Sequence, residues 1–474
     1  MKEAVPNVLA HRYASAEMVA LWSPRNRVVL ERRLWLAVLK AQRDLGVDVP
    51  AGVVEDYEKV VDDVDLASIE ARERVVRHDV KARIEEFCAL AGHQHVHKAM
   101  TSRDVTENVE QAQVRASLVL VRDRMVAALA RLAERAGEHV EVAVVARTHN
   151  VPAQVTTVGK RLANAGEELL AAFHRVQDLL ARYPLRGVKG PVGTQQDQLD
   201  LLGDDPELVA QLERSVAEQL GFEAGLASVG QVYPRSLDLD VVAALVQSAA
   251  GPASLATTIR LMAGHDLATE GFAAGQVGSS AMPHKVNTRS CERISALATV
   301  LRGQLTMVAA LAGTQWNEGD VSCSVVRRVA LPDAFFAADG LFETFLTVVD
   351  GFAVHRSVIA DELRRELPFL ATTKLLVAAV RAGTGREEAH EVIQGHALAA
   401  ARDRREGRHQ PDLFDRVAAD ERIPLDGGAL QALRANPLAL AGAAPRQTTD
   451  FVARVAAVVA RHAHAAAYTP EPIL

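Results

Sequence analysis

The stretch VRASLVLVRDRMVAALARL, residues 114–132, indicates the fold class of this chain. Its large apolar residues recur at steps of four and three, at Val114, Leu118, Val121, Met125, Leu129 and Leu132. This spacing places them on one face of an α-helix, which must pack against neighbouring helices. A second stripe has similar helical spacing, at Leu162, Leu169, Phe173, Val176 and Leu180. We therefore predict long helices packed side by side.

Further helical windows lie downstream. Residues 237–262 are apolar on nearly all sides, with a kink expected at Gly251-Pro252, and helical patterns run from about 292 to 312 and from 333 to 355. Several of these helices would span about 30 Å or more. Strand-like runs such as Val142–Val145 are few. The prediction is an all-α chain with an N-terminal helical domain (1–107), a central long-helix bundle with a catalytic loop (108–355) and a C-terminal helical domain (356–474).

The bulk composition narrows the function. The 474 residues carry a net charge of −7 without a basic run, which argues against binding to nucleic acid or anionic membranes. Three cysteines without CxxC spacing predict neither a disulfide framework nor a structural zinc site. The chain start lacks a signal-peptide pattern, and no uninterrupted apolar run of ~18 residues appears. We expect a cytoplasmic protein without a membrane span.

The segment GSSAMPHKVN, residues 278–287, is the most unusual of the chain. Its glycine and proline disfavour both helix and strand, so we predict a loop that leads into a helix near Ser290. Two hydroxyls, Lys285, Asn287 and the following Arg293 are a combination that suits a small anion. A surface connector is the alternative reading.

Other polar clusters offer proton-transfer and anion-binding groups. His149 precedes a predicted helix start near Pro152 and suits a proton shuttle near neutral pH. Thr101-Ser102 before Asp104 predicts a helix cap. The alternating histidines at 93, 95 and 97 fit either a metal site or a short extended segment. GxSxG and HExxH are absent from the sequence, so the familiar hydrolase routes have no support.

The loop GSSAMPHKVN is similar to the GSSxMPxKxN loop shared by the fumarase/aspartase superfamily of lyases. Within that superfamily the chain most resembles the adenylosuccinate lyase family, through RYASAEM at Arg12, RHDV at Arg77, TSRDV at Thr101, RTHNVPAQVTTVGKR at Arg147, KGPVGTQ at Lys189, SVVRRVALPDA at Ser324 and EAHEVI at Glu388. The resemblance implies three all-helical domains, and a homotetramer with a twenty-helix core and active sites built from three subunits. It also implies β-elimination of fumarate from adenylosuccinate, giving AMP, and from the ribotide SAICAR, giving AICAR, in purine biosynthesis. Neither a cofactor nor a metal is expected.

The same resemblance implies the site residues. Ser279 would be the base, with Lys285 stabilising its alkoxide, and His149 would be the acid, oriented by Glu292. Asn287 would hold the substrate carboxylate. Arg12, Arg293 and Arg328 would bind the phosphate. The remaining substrate contacts would be Tyr13, Arg77, His78, Asp79, His97, Thr101, Ser102, Thr156, Gln195, Ser280, Met282 and Ser324.

Two positions depart from the family pattern. Gly319 stands where the family commonly has an arginine after Trp-x-Glu, which removes one expected phosphate contact. Arg327 or Arg289 would compensate. Thr288 replaces a frequent proline, with little expected effect. The alternatives are another lyase of the superfamily, acting on argininosuccinate, aspartate or malate, and a non-enzymatic helical structural protein.

Overall fold

The computed structural model describes residues 5–272, 275, 278–282, 284–425 and 427–471, so Pro283 of the GSSAMPHKVN loop lies outside the described residues. The helices of the first half are α1 Val8–Arg12, α2 Ala16–Leu21, α3 Pro24–Asp44, α4 Val53–Lys59, α5 Leu66–Val76, α6 Asp79–Ala91, α7 Ser102–Glu138, α8 Val158–Arg182, α9 Gln196–Leu201 and α10 Pro206–Gln219. Those of the second half are α11 Ser236–Ser248, α12 Ala250–Gly264, α13 Arg289–Leu311, α14 Cys323–Gly351, α15 Arg356–Leu370, α16 Thr372–Arg381, α17 Arg386–Arg405, α18 Leu413–Ala418, α19 Gly427–Ala435, α20 Ala444–Arg461 and α21 Ala463–Ala466. A 3₁₀ turn covers Pro437–Leu440.

The strands form two short antiparallel pairs. β1 Ala143–Thr148 pairs with β2 Val151–Thr157, and β3 Ala268–Thr269 pairs with β4 Ala353–Val354. The predicted strand-like run at 142–145 corresponds to the start of β1. The predicted all-α class is confirmed, since these strands only connect helices.

Long helices carry the main core. The whole 114–132 stripe is buried on α7, which packs against α8, α14 and α20. Thr101 and Asp104 form the predicted cap at the start of α7, where the Thr101 amide donates to Asp104 Oδ2 at 2.8 Å. A separate smaller core lies among α16, α17, α18 and α19, whereas α20 returns to the long helices.

Two helix boundaries differ from the prediction. The expected kink at Gly251-Pro252 is a break between α11 and α12 at Ala249, which leaves both residues in the first turns of α12. The second difference is that α14 begins at Cys323 and runs through Pro332, where the pattern indicated a start at Asp333. An interior proline costs a helix about 3 kcal/mol. Burial of Leu331, Ala334 and Phe335 against neighbouring helices offsets this cost.

Two helical stretches are long and apolar enough to cross a membrane by length and composition, namely Ser236–Gly264 and Arg289–Leu311. The first is 56% buried inside the chain, and a core helix passes the same test. In the second stretch 33% of the most apolar window is buried, and this part includes the large apolar residues Ile294, Leu297 and Leu301 of α13.

Candidate active site

In the serine loop, residues 278–288 without Pro283, two backbone amides contact the Ser279 hydroxyl. Ser279 Oγ accepts the amides of Ala281 at 3.3 Å and Met282 at 3.1 Å, while Asn287 Nδ2 donates to the Gly278 carbonyl at 2.8 Å. Two amide dipoles aimed at one oxygen favour its negatively charged form. The loop therefore suits Ser279 to act as a base.

The serine loop folds back on itself at Gly278. A Cβ built on Gly278 would lie 2.4 Å from the Lys285 carbonyl oxygen, so only glycine allows this close approach. The Lys285 backbone thus lies against Gly278, which precedes Ser279 in the sequence. The Lys285 side chain is exposed. Ser280 and Met282 are exposed beside it.

Glu270 fixes the start of α13, which directly follows the serine loop. Its two carboxylate oxygens accept the amides of Ser290 and Cys291, both at 2.9 Å. Glu270 is 5% exposed and belongs to none of the recognised motifs. Sequence reasoning missed it because a carboxylate twenty residues before a helix gives no local signal.

The arginine cluster, consisting of Arg12, Tyr13, Arg289 and Arg293, lies at the same end of α13. The Arg293 guanidinium carbon lies 5.4 Å from the centre of the Tyr13 ring. Burial lowers the pKa of Arg293, and the nearby charges of Arg12 and Arg289 lower it further, against the effect of Tyr13. Arg12 and Arg289 each act on Arg293, and such a group of guanidinium ions suits a dianion such as phosphate.

The histidine pocket is a cavity lined by His78, Asp79, Ser102, Ser324 and Arg328. His78 caps α6, and its Nδ1 accepts the Lys81 amide at 3.3 Å. Both oxygens of Asp79 are engaged, one by the Val80 amide and the other by Arg83. The pocket thus brings together five predicted substrate contacts from three separate motifs.

His97 lines an adjoining cavity with His78, Thr101 and Ser102. The indole N–H of Trp35 donates to His97 Nδ1 at 3.0 Å, so neutral His97 carries its proton on Nε2. Burial lowers the pKa of His97, which keeps the ring neutral at physiological pH. Trp35 is fully buried, and no motif of the sequence indicates its contact with His97.

The other two histidines of the alternating run have partners of their own. His93 Nε2 pairs with Asp56 at 2.9 Å, and His95 Nδ1 contacts Lys98 Nζ at 3.0 Å. Among the residues that the structure describes, no group of three His, Cys, Asp or Glu side chains could hold a metal ion.

Two predicted contacts flank the histidine pocket. Arg77 is the C-cap of α5, has a left-handed backbone conformation and is exposed. Gln195 is the N-cap of α9, and Gln198 of that helix donates to the Ala99 carbonyl at 2.7 Å, two residues before Thr101. Both residues therefore lie at the pocket end of α7.

His149 lies in the turn of a β-hairpin, which corrects the prediction of a helix start near Pro152. His149 and Asn150 have φ values of 53° and 61°, as a two-residue hairpin turn requires, and the next helix begins only at Val158. Pro152 is accommodated because the pairing shifts register at Ala146/Arg147. His149 is exposed at the tip, while Thr156 pairs with Val144 near the base.

Long helices separate these groups within one chain. The hairpin follows the C-terminal end of α7 and the histidine pocket lies at its N-terminal end, about 55 Å away along 37 residues. The serine loop likewise lies at the opposite end of α13 from the segment that leads to Ser324. Glu292 Oε1 lies 3.7 Å from Arg260, and within the described part of the chain no contact joins it to His149. One chain therefore does not assemble the predicted site.

Arg327, one of the two candidates for the missing phosphate contact, lines the histidine pocket. It is 2% exposed and pairs with Glu110 at 2.9 Å and Asp238 at 2.7 Å, so its charge is neutralised inside the protein. Gly319 has a φ of 117°, and a Cβ there would lie 2.9 Å from Val232 Cγ2. An arginine at 319 would need a different local backbone.

Comparison with known proteins agrees with the motifs. The lyase family model matches residues 16–303, and the model for the adenylosuccinate lyase C-terminus matches residues 368–451. Adenylosuccinate lyase of Saccharomyces cerevisiae is 37% identical over 94% of this chain and 93% of its own length, and that of Schistosoma mansoni is 33% identical over 88% of each.

A solved structure supports the fold independently. The 3-carboxy-cis,cis-muconate lactonizing enzyme of Pseudomonas putida superposes with a TM-score of 0.82 at 20% identity, over 95% of this chain and 99% of its own. At this identity the likeness concerns the fold alone. From the two family models and the curated relatives together, it follows that the chain belongs to the adenylosuccinate lyase family of the lyase superfamily.

Proposed function

We propose that the chain is an enzyme of purine biosynthesis that cleaves adenylosuccinate to AMP and fumarate, and SAICAR to AICAR and fumarate. One observation carries this proposal: the Ser279 hydroxyl accepts hydrogen bonds from two backbone amides. Ser279 lies with Lys285 in a loop that has the form of the family's loop. The reaction needs a base for a carbon-bound proton and an acid for the departing nitrogen.

The proposed mechanism assigns these two tasks to separate groups. Ser279 removes the proton from the carbon next to a substrate carboxylate, and Lys285 and Asn287 hold that carboxylate while negative charge develops on it. His149 then gives its proton to the nitrogen as the carbon–nitrogen bond breaks. Glu292 orients His149 and favours its protonated form.

The separation of these groups supports a homotetramer with shared active sites. The exposed residues Val321, Val325 and Val329 form an apolar stripe beside the histidine pocket, and α13 exposes the small apolar residues Ala296, Ala309 and Ala310. A second and a third subunit would cover these surfaces and bring a hairpin and a serine loop to each pocket. The active enzyme would then have the twenty-helix core of its family.

We also propose a domain organisation and a cellular location for the enzyme. We infer an N-terminal domain over 1–107, a central bundle over 108–355 and a C-terminal domain over 356–474. Packing of α20 against α7 and α8 would fasten the C-terminal part to the bundle. The substrates are small cytoplasmic metabolites, so we place the enzyme in the cytoplasm, with neither nucleic acid nor membrane as a partner.

Arg289 is the expected substitute for the arginine absent at 319. It is exposed and adds its charge to the arginine cluster, whereas Arg327 is neutralised. We expect Arg289→Ala to raise KM for adenylosuccinate about tenfold, since a charged hydrogen bond to phosphate contributes about 1.5–3 kcal/mol. Arg214→Ala, which removes an exposed arginine of α10, is the control and should leave KM unchanged. Equal KM values in the two variants would remove Arg289 from the phosphate site.

The proposed function is tested by mixing purified protein with adenylosuccinate. Absorbance follows loss of the substrate, and fumarate is quantified separately. Equal amounts of adenylosuccinate lost and fumarate formed are the expected result. Absence of turnover by a folded oligomer would contradict the proposal, and argininosuccinate, aspartate and malate would then be tested as substrates.

A further inference from the structure

The segment that carries Arg12 and Tyr13 crosses the middle of α14 and is fastened there at two points. Asn7 Nδ2 donates to Asp333 Oδ1, and the Ser15 amide donates to Asp339 Oδ2, both at 2.6 Å. The first contact is exposed and the second is buried. We call residues 7–15 the N-terminal strap.

Gly340 sets how closely the N-terminal strap approaches α14. A Cβ built on Gly340 would lie 2.7 Å from the Tyr13 carbonyl oxygen and 2.8 Å from Tyr13 Cβ. The strap therefore rests directly on the helix backbone beside Asp339. In this position the Tyr13 ring faces Arg293 of the arginine cluster.

Asp339 is fully buried. Arg124 Nε lies 3.7 Å from its Oδ1 and 3.0 Å from Oε1 of Glu343, whose oxygens also accept the Tyr468 hydroxyl and the Glu471 amide. Burial raises the pKa of Asp339 to about 6, and the hydrogen bond from the Ser15 amide opposes this shift. Aspartate is almost never fully buried in a core unless it is paired.

We propose that Asp339 is a positioning residue that holds Arg12 and Tyr13 where they bind the phosphate of the substrate. The inference rests on the proposed function. Asp339 itself touches no substrate. It acts through the hydrogen bond that it accepts from the amide of Ser15, the N-cap of α2, and Gly340 supplies the surface on which Tyr13 rests.

The test compares wild type with Asp339→Ala, Asp339→Asn and Glu17→Ala. Without the acceptor for the Ser15 amide, Asp339→Ala should raise KM for adenylosuccinate and Kd for AMP about tenfold, with kcat within about twofold. Asparagine keeps an oxygen acceptor for the Ser15 amide. In Asp339→Asn, KM for adenylosuccinate and Kd for AMP should therefore stay within about threefold of wild type. Glu17→Ala removes a different carboxylate from Arg124, at 2.7 Å, and should change neither constant.

Gly340→Ala tests the same idea without touching the carboxylate, which matters if Asp339→Ala fails to fold. The new methyl group would lie 2.7 Å from the Tyr13 carbonyl oxygen and must displace Tyr13, so KM and Kd for AMP should rise while the oligomer persists. Unchanged KM and Kd in a folded Asp339→Ala or Gly340→Ala protein would overturn the inference. A loss of melting temperature with KM intact would also overturn it, since that result means a structural role only.

AMP binding separates this inference from the proposed function. Wild-type protein that binds AMP but releases no fumarate would contradict the function, and the Kd comparison would still decide the role of Asp339. Wild-type protein that turns over adenylosuccinate, with Asp339→Ala indistinguishable from it, would contradict the positioning role alone. Calorimetry with AMP, and with adenosine as the ligand that lacks phosphate, provides these data. The Asp339→Ala effect should disappear with adenosine.

Discussion

Ser279→Ala is expected to lower kcat for adenylosuccinate about 10³-fold or more, near the upper range for a missing general base. Substrate binding should remain close to that of wild type, because alanine removes only the oxygen that receives the Ala281 and Met282 amides. Single-turnover release of fumarate measures the chemical step, and calorimetry on the inactive variant measures binding.

Ser280→Ala is the matched comparison in the same loop. Ser280 is a predicted substrate contact. Among the described residues, the Ala281 and Met282 amides donate to the Ser279 hydroxyl and not to that of Ser280. We expect a moderate rise in KM and a much smaller loss of kcat than for Ser279→Ala. Near-normal turnover by Ser279→Ala, or a larger loss by Ser280→Ala, would refute the assignment of Ser279 as the base.

His149→Gln is expected to lower kcat by about 10²- to 10³-fold, because glutamine hydrogen-bonds but does not transfer a proton. The side chain is exposed at a hairpin tip, so the fold and the oligomer should persist. Rapid-quench measurement of fumarate gives the rate, and light scattering gives the mass of the oligomer. Normal turnover by the variant would remove His149 from the mechanism.

Mixing the two inactive variants tests whether subunits share active sites. If Ser279 and His149 of one site come from different subunits, random hybrids of Ser279→Ala and His149→Gln contain intact sites, about a quarter of the total. Hybrids formed by co-expression should therefore recover about that share of wild-type kcat. Hybrids that stay inactive would show that each site is complete within one chain.

The sequence by itself determined the features that depend on local spacing. The stripe from Val114 to Leu132 specified a buried helix face, because residues three and four apart share one side of a helix. Thr101 and Asp104 specified the start of α7, since a cap needs only a few consecutive residues. The loop at Ser279 was recognisable because its residue types and their order carry the chemistry.

Only the tertiary structure decided features that depend on distant partners. VPAQVTT, residues 151–157, forms a strand because it pairs with β1, although Pro152 was predicted to lie at a helix start. Packing against neighbouring helices allows α14 to continue through Pro332. Arg327 is buried because it pairs with Glu110 and Asp238. Glu270, Trp35 and Asp339 act on residues between about 20 and 324 positions away. No local pattern encodes such contacts, because they arise only when the long helices place separate parts of the chain side by side.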